Sequence, residues 1–170
     1  PFKISDGVII PAGSYRNAEI DWRLDSDPSK SLSFATSWTF GGFYTGNQRS
    51  VQLQLAGRAG ANLNASINWR RSDINLPEGE FVTHLLQGRF NYSLTPLINF
   101  QSLVQYNTRS DTWTGNFRFG WQNTAGTGLF VVYNETHSLD SLDLLRRPVH
   151  GEPLSRALIV KYSNQFDIIR

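Results

Sequence analysis

A strict alternation of apolar and polar residues limits what this chain can fold into. Between positions 113 and 122 the odd positions carry Trp, Gly, Phe, Phe and Trp, and the even positions carry Thr, Asn, Arg, Gly and Gln. Successive side chains of a β-strand point to opposite faces, so this run predicts a strand with one apolar and one polar face. Similar runs cover residues 15–26, 31–44, 49–59, 62–71, 81–93, 97–108, 128–136 and 155–169. The sequence therefore predicts an all-β fold, an antiparallel up-and-down meander of about nine strands.

The lengths of the connections indicate which strand ends lie together. The segments DPSK (27–30), AGAN (59–62), LTP (94–96) and NTAGTG (123–128) are short, and they fall at the end of the meander where the last run finishes. The two longest connections, residues 71–80 and 136–155, fall at the opposite end. Short turns on one rim and long loops on the other are typical of outer-membrane β-barrels. We expect residues 1–170 to form a single β-barrel segment with a long extracellular-side loop at 136–155.

The composition of the two faces indicates which solvent each of them meets. Ser, Thr, Asn and Gln dominate the polar positions, and lysine occurs only at positions 3, 30 and 161, although water-exposed faces are usually rich in Lys and Glu. Aromatic residues make up 13% of the chain, yet the mean hydropathy is −0.35. No run reaches the roughly 18 apolar residues of a membrane helix. These features favour an apolar face in lipid and a polar barrel interior over a soluble sandwich or barrel.

The alternation assigns candidate residues to each face. Aromatic rings with a polar edge suit the membrane–water interface. We predict that role, with placement toward strand ends, for Trp22, Trp38, Trp69, Tyr92, Tyr106, Trp113, Trp121 and Tyr133. The candidates for lining the lumen are Glu19, Asp21, Arg23, Arg58, Arg70, Arg89 and Arg118. Such mixed charges would either tune the selectivity of an open pore or form ion pairs that fill a closed interior.

The sequence offers little chemistry for catalysis or metal binding. Cysteine is absent, so neither a disulfide nor a thiolate site can form. His137 and His150 lie near acidic residues, but their spacing matches no ligand motif, and Ser138 beside His137 would point to the opposite face. The 16 basic residues are scattered rather than clustered. We predict no enzyme activity, no cofactor, no metal site and no nucleic-acid partner.

Several segments also resemble a bacterial family. The stretch SDINLPEGEFVTHLLQGRFNYSLTPLINFQSLVQYNTRSD, followed by NFRFGW and LFVVYNE, is similar to the C-terminal region of large outer-membrane proteins. Those proteins carry a family-9-like carbohydrate-binding module ahead of a C-terminal domain of unknown function. The opening PFKISDGVIIPAGSYR fits the same region. The resemblance implies a bacterial outer-membrane location, with further strands and a soluble module upstream of residue 1, and it brings no catalytic residues.

Strand number and termini favour a piece of a larger barrel. Bacterial single-chain barrels have even strand numbers, whereas nine runs are visible. Residues 2–10 suggest an extracellular-side loop rather than a tenth strand, because Asp6-Gly7 and Pro11 interrupt them. The chain begins without methionine or a signal peptide and ends on FDIIR, not on the aromatic residue usual for such barrels.

Three functions fit these observations. The first is an outer-membrane pore, anchor or transport scaffold, with saccharide-related cargo by analogy with the upstream module. The second is a structural subunit that completes or flanks a larger membrane complex. The third is a soluble lipocalin-like binding barrel with the apolar face inside. For the first two, the expected partners are the lipid bilayer and either the upstream part of the same barrel or another protein chain.

Overall fold

The computed structural model describes residues 1–123, 127–138 and 153–164, which form strands, turns and irregular segments. These residues include no helix that could cross a membrane. The strands are β1 Phe2–Ser5, β2 Val8–Ile10, β3 Glu19–Asp25, β4 Leu32–Phe43, β5 Gly46–Ala59, β6 Leu63–Leu76, β7 Gly79–Thr95, β8 Ile98–Asn107, β9 Thr112–Gln122, β10 Gly128–Ser138 and β11 Ser155–Ser163. The all-β prediction is confirmed.

Nine of these strands form one sheet. From β3 to β11 each strand pairs with the next one along the chain, and every pair is antiparallel. The predicted up-and-down meander of nine strands is therefore confirmed. β3 and β11 are the two edges of the sheet, which is not closed between them. Closure into a barrel stays a prediction.

The connections between strands lie at two opposite rims of the sheet. The inner rim comprises the connections at residues 26–31, 60–62, 96–97 and 123–127, and the outer rim comprises those at 44–45, 77–78 and 108–111 and the β10–β11 connection. On the inner rim, hydrogen bonding by Ser29 to the Asp27 carboxylate shapes the first turn and lowers the pKa of Asp27. Gly60 has φ +60°, a left-handed conformation that glycine adopts without strain.

The pairing register keeps the two faces separate across all nine strands. Trp22 pairs with Trp38, which pairs with Val51, and antiparallel partners point to the same side of a sheet. We call this side the apolar face. It carries large exposed hydrophobic residues from every strand except β10, including Ile20, Phe34, Leu55, Ile67, Phe90, Phe100, Phe119 and Val160. The opposite side is the polar face, where Ser, Thr, Asn and Gln predominate.

β6 and β7 are longer than predicted, with 14 and 17 residues. The expected loop at 71–80 is wrong, because Ile74 and Phe81 pair within the ladder and only Pro77 and Glu78 lie between the strands. The predicted loop at 136–155 is also too long. β10 continues to Ser138 because its register with β9 is unbroken up to that residue, and residues 139–152 lie outside the described residues.

The N-terminal hairpin, formed by β1 and β2, is a separate two-stranded sheet. It does not extend the larger sheet, as expected, but it is a hairpin and not a loop. Asp6 and Gly7 form its turn, with Gly7 at φ +75°. The Lys3 ammonium lies 2.5 Å from the Asp6 carboxylate, and their hydrogen bond lowers the pKa of Asp6.

The buried core of the described residues lies where the N-terminal hairpin meets the sheet. Its buried hydrophobic members are Val8, Ile10 and Leu76, of which Ile10 is fully buried. Around them pack the partly buried residues Ile4, Tyr15, Phe43, Tyr44, Ile74 and Phe81. The sheet residues of this core are in the polar register. The N-terminal hairpin therefore covers the polar face at the outer rim.

Candidate functional site: the polar face and the N-terminal hairpin

All seven residues predicted to line a lumen lie on the polar face. They are Glu19, Asp21 and Arg23 on β3, Arg58 on β5, Arg70 on β6, Arg89 on β7 and Arg118 on β9. The register links distant members directly: Arg58 pairs with Asn64, and the same row continues through β7 and β8 to Arg118. The residues therefore share one continuous surface, although they come from five strands.

The acidic residues of the polar face are confined to β3, which also carries Arg23. From β4 to β11 the charged residues described on this face are all basic: Arg58, Arg70, Arg89, Arg118 and Lys161. The acidic residues of this face are Glu19, Asp21 and Asp25, all on edge strand β3. The central strands consequently present a surface of positive potential among amides and hydroxyls.

Hydrogen bonds between strands order the acidic edge. Thr39 Oγ1 donates to Asp21 Oδ1 at 2.6 Å, and Gln48 Nε2 donates to Glu19 Oε1 at 2.8 Å. Gly41 lies between Glu19 and Gln48 in the register, and a Cβ atom there would come within 2.6 Å of Glu19 Cα. The missing side chain at Gly41 therefore lets the Glu19–Gln48 hydrogen bond cross the strand between them.

Two of the arginines are held by neutral oxygen atoms. Arg70 Nε donates to the Gln52 side-chain oxygen at 3.1 Å. Arg58 Nη2 donates to the carbonyl of Pro28 at 2.5 Å and so fastens the first inner-rim turn to β5. In these contacts neither guanidinium is paired with a carboxylate, so both add positive charge to the polar face.

Arg118 and Arg89 differ in their freedom. Arg118 Nε donates to Asn116 Oδ1 at 2.9 Å, and Asn116 in turn bonds to Asn134. Arg89 is exposed and makes no hydrogen bond or ion pair with residues 1–123, 127–138 or 153–164. Of the arginines on this face, Arg89 can therefore be changed with the least effect on its neighbours.

At the outer rim, the polar face carries a group of hydrophobic residues on β4, β6 and β7. They are Phe43, Ile74, Leu76 and Phe81. Val8 and Ile10 of the N-terminal hairpin pack on them. This contact was not predicted from the sequence, because the pattern of residues 71–80 indicates a loop. The sequence signal for this contact was a break in the alternation, since four hydrophobic residues at polar-face positions are unfavourable on a surface open to water.

Close contacts hold the N-terminal hairpin to the outer rim. Arg109 Nη2 donates to the carbonyl of Ile4 at 3.3 Å. Gly79 has φ +146°, and a Cβ atom there would lie 2.9 Å from Val8 Cγ2. A cavity of about 320 Å³ remains between the hairpin and the sheet, with Arg70 among its lining residues. The hairpin thus covers part of the polar face at this rim but does not fill the space between itself and the sheet.

All eight predicted interface aromatics lie on the apolar face. Four of them, Tyr92, Tyr106, Trp113 and Trp121, are near strand ends, as predicted. The other four lie in strand interiors: Trp22, Trp38, Trp69 and Tyr133. Their expected placement at strand ends is wrong. β6 and β10 continue past the apolar region toward the outer rim, whereas Trp22 and Trp38 are followed toward that rim by further apolar residues, Ile20 and Phe40.

Charged residues replace hydrophobic ones where the apolar face approaches the outer rim. On β10, Tyr133 is followed on the same face by Glu135 and His137. Glu135 accepts hydrogen bonds from the Tyr133 hydroxyl at 2.8 Å and from Arg156 Nη2 at 2.7 Å, and it contacts His137 Nε2 at 2.7 Å. The other charged or histidine residues of this region are Arg49, Arg71, Asp73, Glu80 and His84.

The described residues contain no group of three His, Asp or Glu side chains that could hold a metal ion. His150, the other histidine near the long connection, lies outside the described residues. Glu135 and His137 are in contact, but the Glu135 carboxylate already accepts hydrogen bonds from Arg156 and Tyr133.

Comparison with protein-family models, with curated proteins and with solved structures finds no match for this chain. The fold and its two faces define the chain as an antiparallel up-and-down β-protein with one apolar and one polar surface. The resemblance to the large outer-membrane proteins therefore stays a prediction based on the segments quoted above.

Proposed function

We propose that this chain is a segment of an outer-membrane β-barrel that acts as a pore or transport scaffold. In this proposal the apolar face meets lipid, the polar face lines the lumen, and the N-terminal hairpin folds inward from the outer rim. The chain itself carries out no reaction. Its partners are the bilayer and the strands that close the barrel.

The position of the N-terminal hairpin is the observation that carries this proposal. A soluble binding barrel would bury its apolar face in the barrel interior and expose its polar face to water. A hydrophobic hairpin would then not be expected to pack on the polar face. Here the hairpin packs on the polar face, while large residues of the apolar face such as Ile20, Ile67 and Leu158 remain exposed. An exposed apolar surface of nine strands needs an apolar solvent, which lipid provides.

The charge distribution favours anionic or neutral polar solutes as cargo. Rings and stripes of basic side chains in a lumen attract anions and repel cations. The basic residues of the central strands, with Arg89 exposed among them, form such a stripe. Saccharide-related cargo rests on the family resemblance alone, and amide and hydroxyl side chains would suit it.

A structural role remains the second candidate because the sheet is open at β3 and β11. In that case the chain completes a larger membrane complex, and transport belongs to another part of it. Fixed co-purification with a second protein, together with absence of conductance from the purified assembly, would favour this role over the pore.

Electrophoretic heat-modifiability tests the membrane proposal. The full-length natural protein, folded in detergent, should migrate differently before and after boiling, because a closed lipid-facing barrel resists unfolding by the detergent of the gel. The isolated chain, with two open edges, should show no such shift. Detergent-free solubility and unchanged mobility of both samples would mean that the apolar face is a protein core.

Planar-bilayer recordings of the full-length protein test the pore. The unmodified protein should conduct weakly, and a variant with the double change Val8→Asp and Ile10→Asp should conduct more, since charged residues cannot stay packed on the apolar outer end of the polar face. The matched control is Ile9→Asp, because Ile9 lies on the same strand but is 57% exposed. Absence of conductance from all three proteins would contradict the pore.

A further inference from the structure

Both edge strands of the nine-stranded sheet run in the same direction. β3 starts beside the outer rim, where Glu19 pairs with Gly41, and ends at the inner rim. Direction alternates at every step of an antiparallel meander, so β11, eight strands later, also runs from the outer to the inner rim. Ser155 at the start of β11 pairs with Thr136 near the outer end of β10 and agrees with this direction.

Two features that normally prevent strand addition, proline and bulges, are absent from both edge strands. Exposed edges in soluble proteins carry such features or charged side chains, above all lysine, or they are covered by other elements. The four charged residues of β3 all lie on the polar face, and β11 carries two, Arg156 and Lys161. β3 and β11 contain no proline, and each pairs with its single neighbour in an unbroken register. All seven residues of β3 and eight of the nine in β11 are exposed. Both edges are therefore suited to bond with further strands.

We infer that an odd number of antiparallel strands joins β3 to β11, and that the polypeptide preceding β1 supplies them. This inference rests on the proposed barrel, because in lipid the unpaired backbone groups of both edges must be satisfied. Direct pairing of β3 with β11 would be parallel. Pairing with a second copy inserted in the same orientation would also be parallel. An even number of added strands leaves one parallel junction, whereas an odd number leaves none.

The route of the chain into β3 agrees with a source in the polypeptide before β1. The N-terminal hairpin is seated at the outer rim, and residues 11–18 lead from it directly to the outer end of β3. In a meander, the strand before β3 must then end at the outer rim, antiparallel to β3. The hairpin becomes the connection between the two strands. The total strand number is then even, as in bacterial single-chain barrels.

Photo-crosslinking in the full-length natural protein, in its own membrane, tests the inference. A photoreactive phenylalanine analogue replaces Ile20 or Leu24 on β3, and Leu158 or Tyr162 on β11. The known neighbours calibrate the readout: crosslinks to β4 should move from Phe40 to Thr36 as the probe moves from position 20 to 24. On the free side of an edge strand, moving the probe forward along the chain should move the crosslinked residue to lower numbers if the new neighbour is antiparallel. It should move the crosslinked residue to higher numbers if the neighbour is parallel.

We expect falling numbers at both edges, in residues that precede β1 and in the same molecule. Crosslinks between β3 and β11 of one molecule, with rising numbers, would overturn the inference while leaving the barrel intact. Crosslinks between two differently tagged copies would overturn it in the same way. Recovery of only the β4 and β10 crosslinks, from protein that is soluble without detergent, would overturn both the inference and the proposed barrel.

Discussion

Gly79 shows how one residue determines the approach of the N-terminal hairpin to the sheet. It opens β7 at φ +146°, and Val8 occupies the space that a side chain would need. We predict that Gly79→Ala loosens the hairpin, because alanine is strained at this φ and its Cβ would contact Val8. The expected loss of stability is about 1–3 kcal/mol. Limited proteolysis of residues 1–18 and urea unfolding measure it.

The matched control for this change is Gly88→Ala on the same strand. Gly88 has an ordinary negative φ, and a Cβ atom there would meet nothing within 4 Å. Alanine at position 88 should leave the stability unchanged or raise it slightly, since glycine in a strand loses more entropy on folding. Equal effects of the two substitutions would show that the hairpin does not depend on the close approach at Gly79.

Arg89 offers a clean test of the charge on the polar face. Because it is exposed and makes no polar contact with the described residues, Arg89→Glu should not disturb the fold. In a conducting barrel this substitution should shift the reversal potential in a salt gradient toward cation selectivity. Arg89→Lys keeps the charge and should leave the reversal potential unchanged. If Arg89→Glu also leaves it unchanged, the polar face does not line the conducting path.

At the scale of the strand, neighbouring residues test which solvent each face meets. Leu55 and Gln54 are adjacent at the centre of β5, but Leu55 is on the apolar face and Gln54 on the polar face. We predict that Leu55→Arg destabilises the folded protein in lipid by about 2–4 kcal/mol, the cost of arginine near the membrane midplane. Gln54→Arg should have little effect. Reversible unfolding in lipid vesicles provides the measurement.

Arginine at position 55 would also destabilise a protein core, so a second substitution is needed to distinguish a lipid-facing position from a core position. Leu55→Trp should be tolerated in lipid, because lipid chains rearrange around a larger ring. In a packed interior the same change would overfill the site and cost about 1–3 kcal/mol. A strong loss of stability in Leu55→Trp would therefore favour the soluble barrel.

Alternation was sufficient to predict most strands and the face of every candidate residue. The period of two is a direct consequence of strand geometry, so residues such as Arg58 and Trp113 could be assigned without any knowledge of their neighbours. Two elements escaped this reasoning. Pro77 and Glu78 resemble the middle of a long loop, but tight pairing between Ile74 and Phe81 extends both strands up to them.

The docking of the N-terminal hairpin was the other element that local pattern could not predict. Val8 and Ile10 could bury their side chains against any apolar surface, and the much larger apolar face was available. Their actual site depends on contacts between residues some 70 positions apart in sequence, which alternation does not report. The local indication was the presence of four hydrophobic residues, Phe43, Ile74, Leu76 and Phe81, in the polar register.

At the scale of the whole molecule, the apolar face is asymmetric between the two rims. Toward the inner rim it stays apolar up to strand ends such as Trp121 and Tyr162. On β5, β6, β7 and β10 it becomes charged toward the outer rim before the strands end, as at Arg71 and Asp73 on β6. In a bilayer only the apolar part can remain among lipid tails. In the proposed barrel, the outer ends of β5, β6 and β7 would therefore rise above the membrane together with the N-terminal hairpin.

This asymmetry predicts the orientation of the protein in the cell. The chain contains no cysteine, so single cysteines can report on each rim once any cysteines elsewhere in the polypeptide are replaced. Asn75, exposed near the outer end of β6, and Asn62, exposed in an inner-rim turn, are suitable positions. In intact cells a membrane-impermeant maleimide should label Asn75→Cys and not Asn62→Cys. After the outer membrane is permeabilised, both should react. The reverse order would place the hairpin in the periplasm, and equal labelling of both in intact cells would mean that the sheet does not cross the membrane.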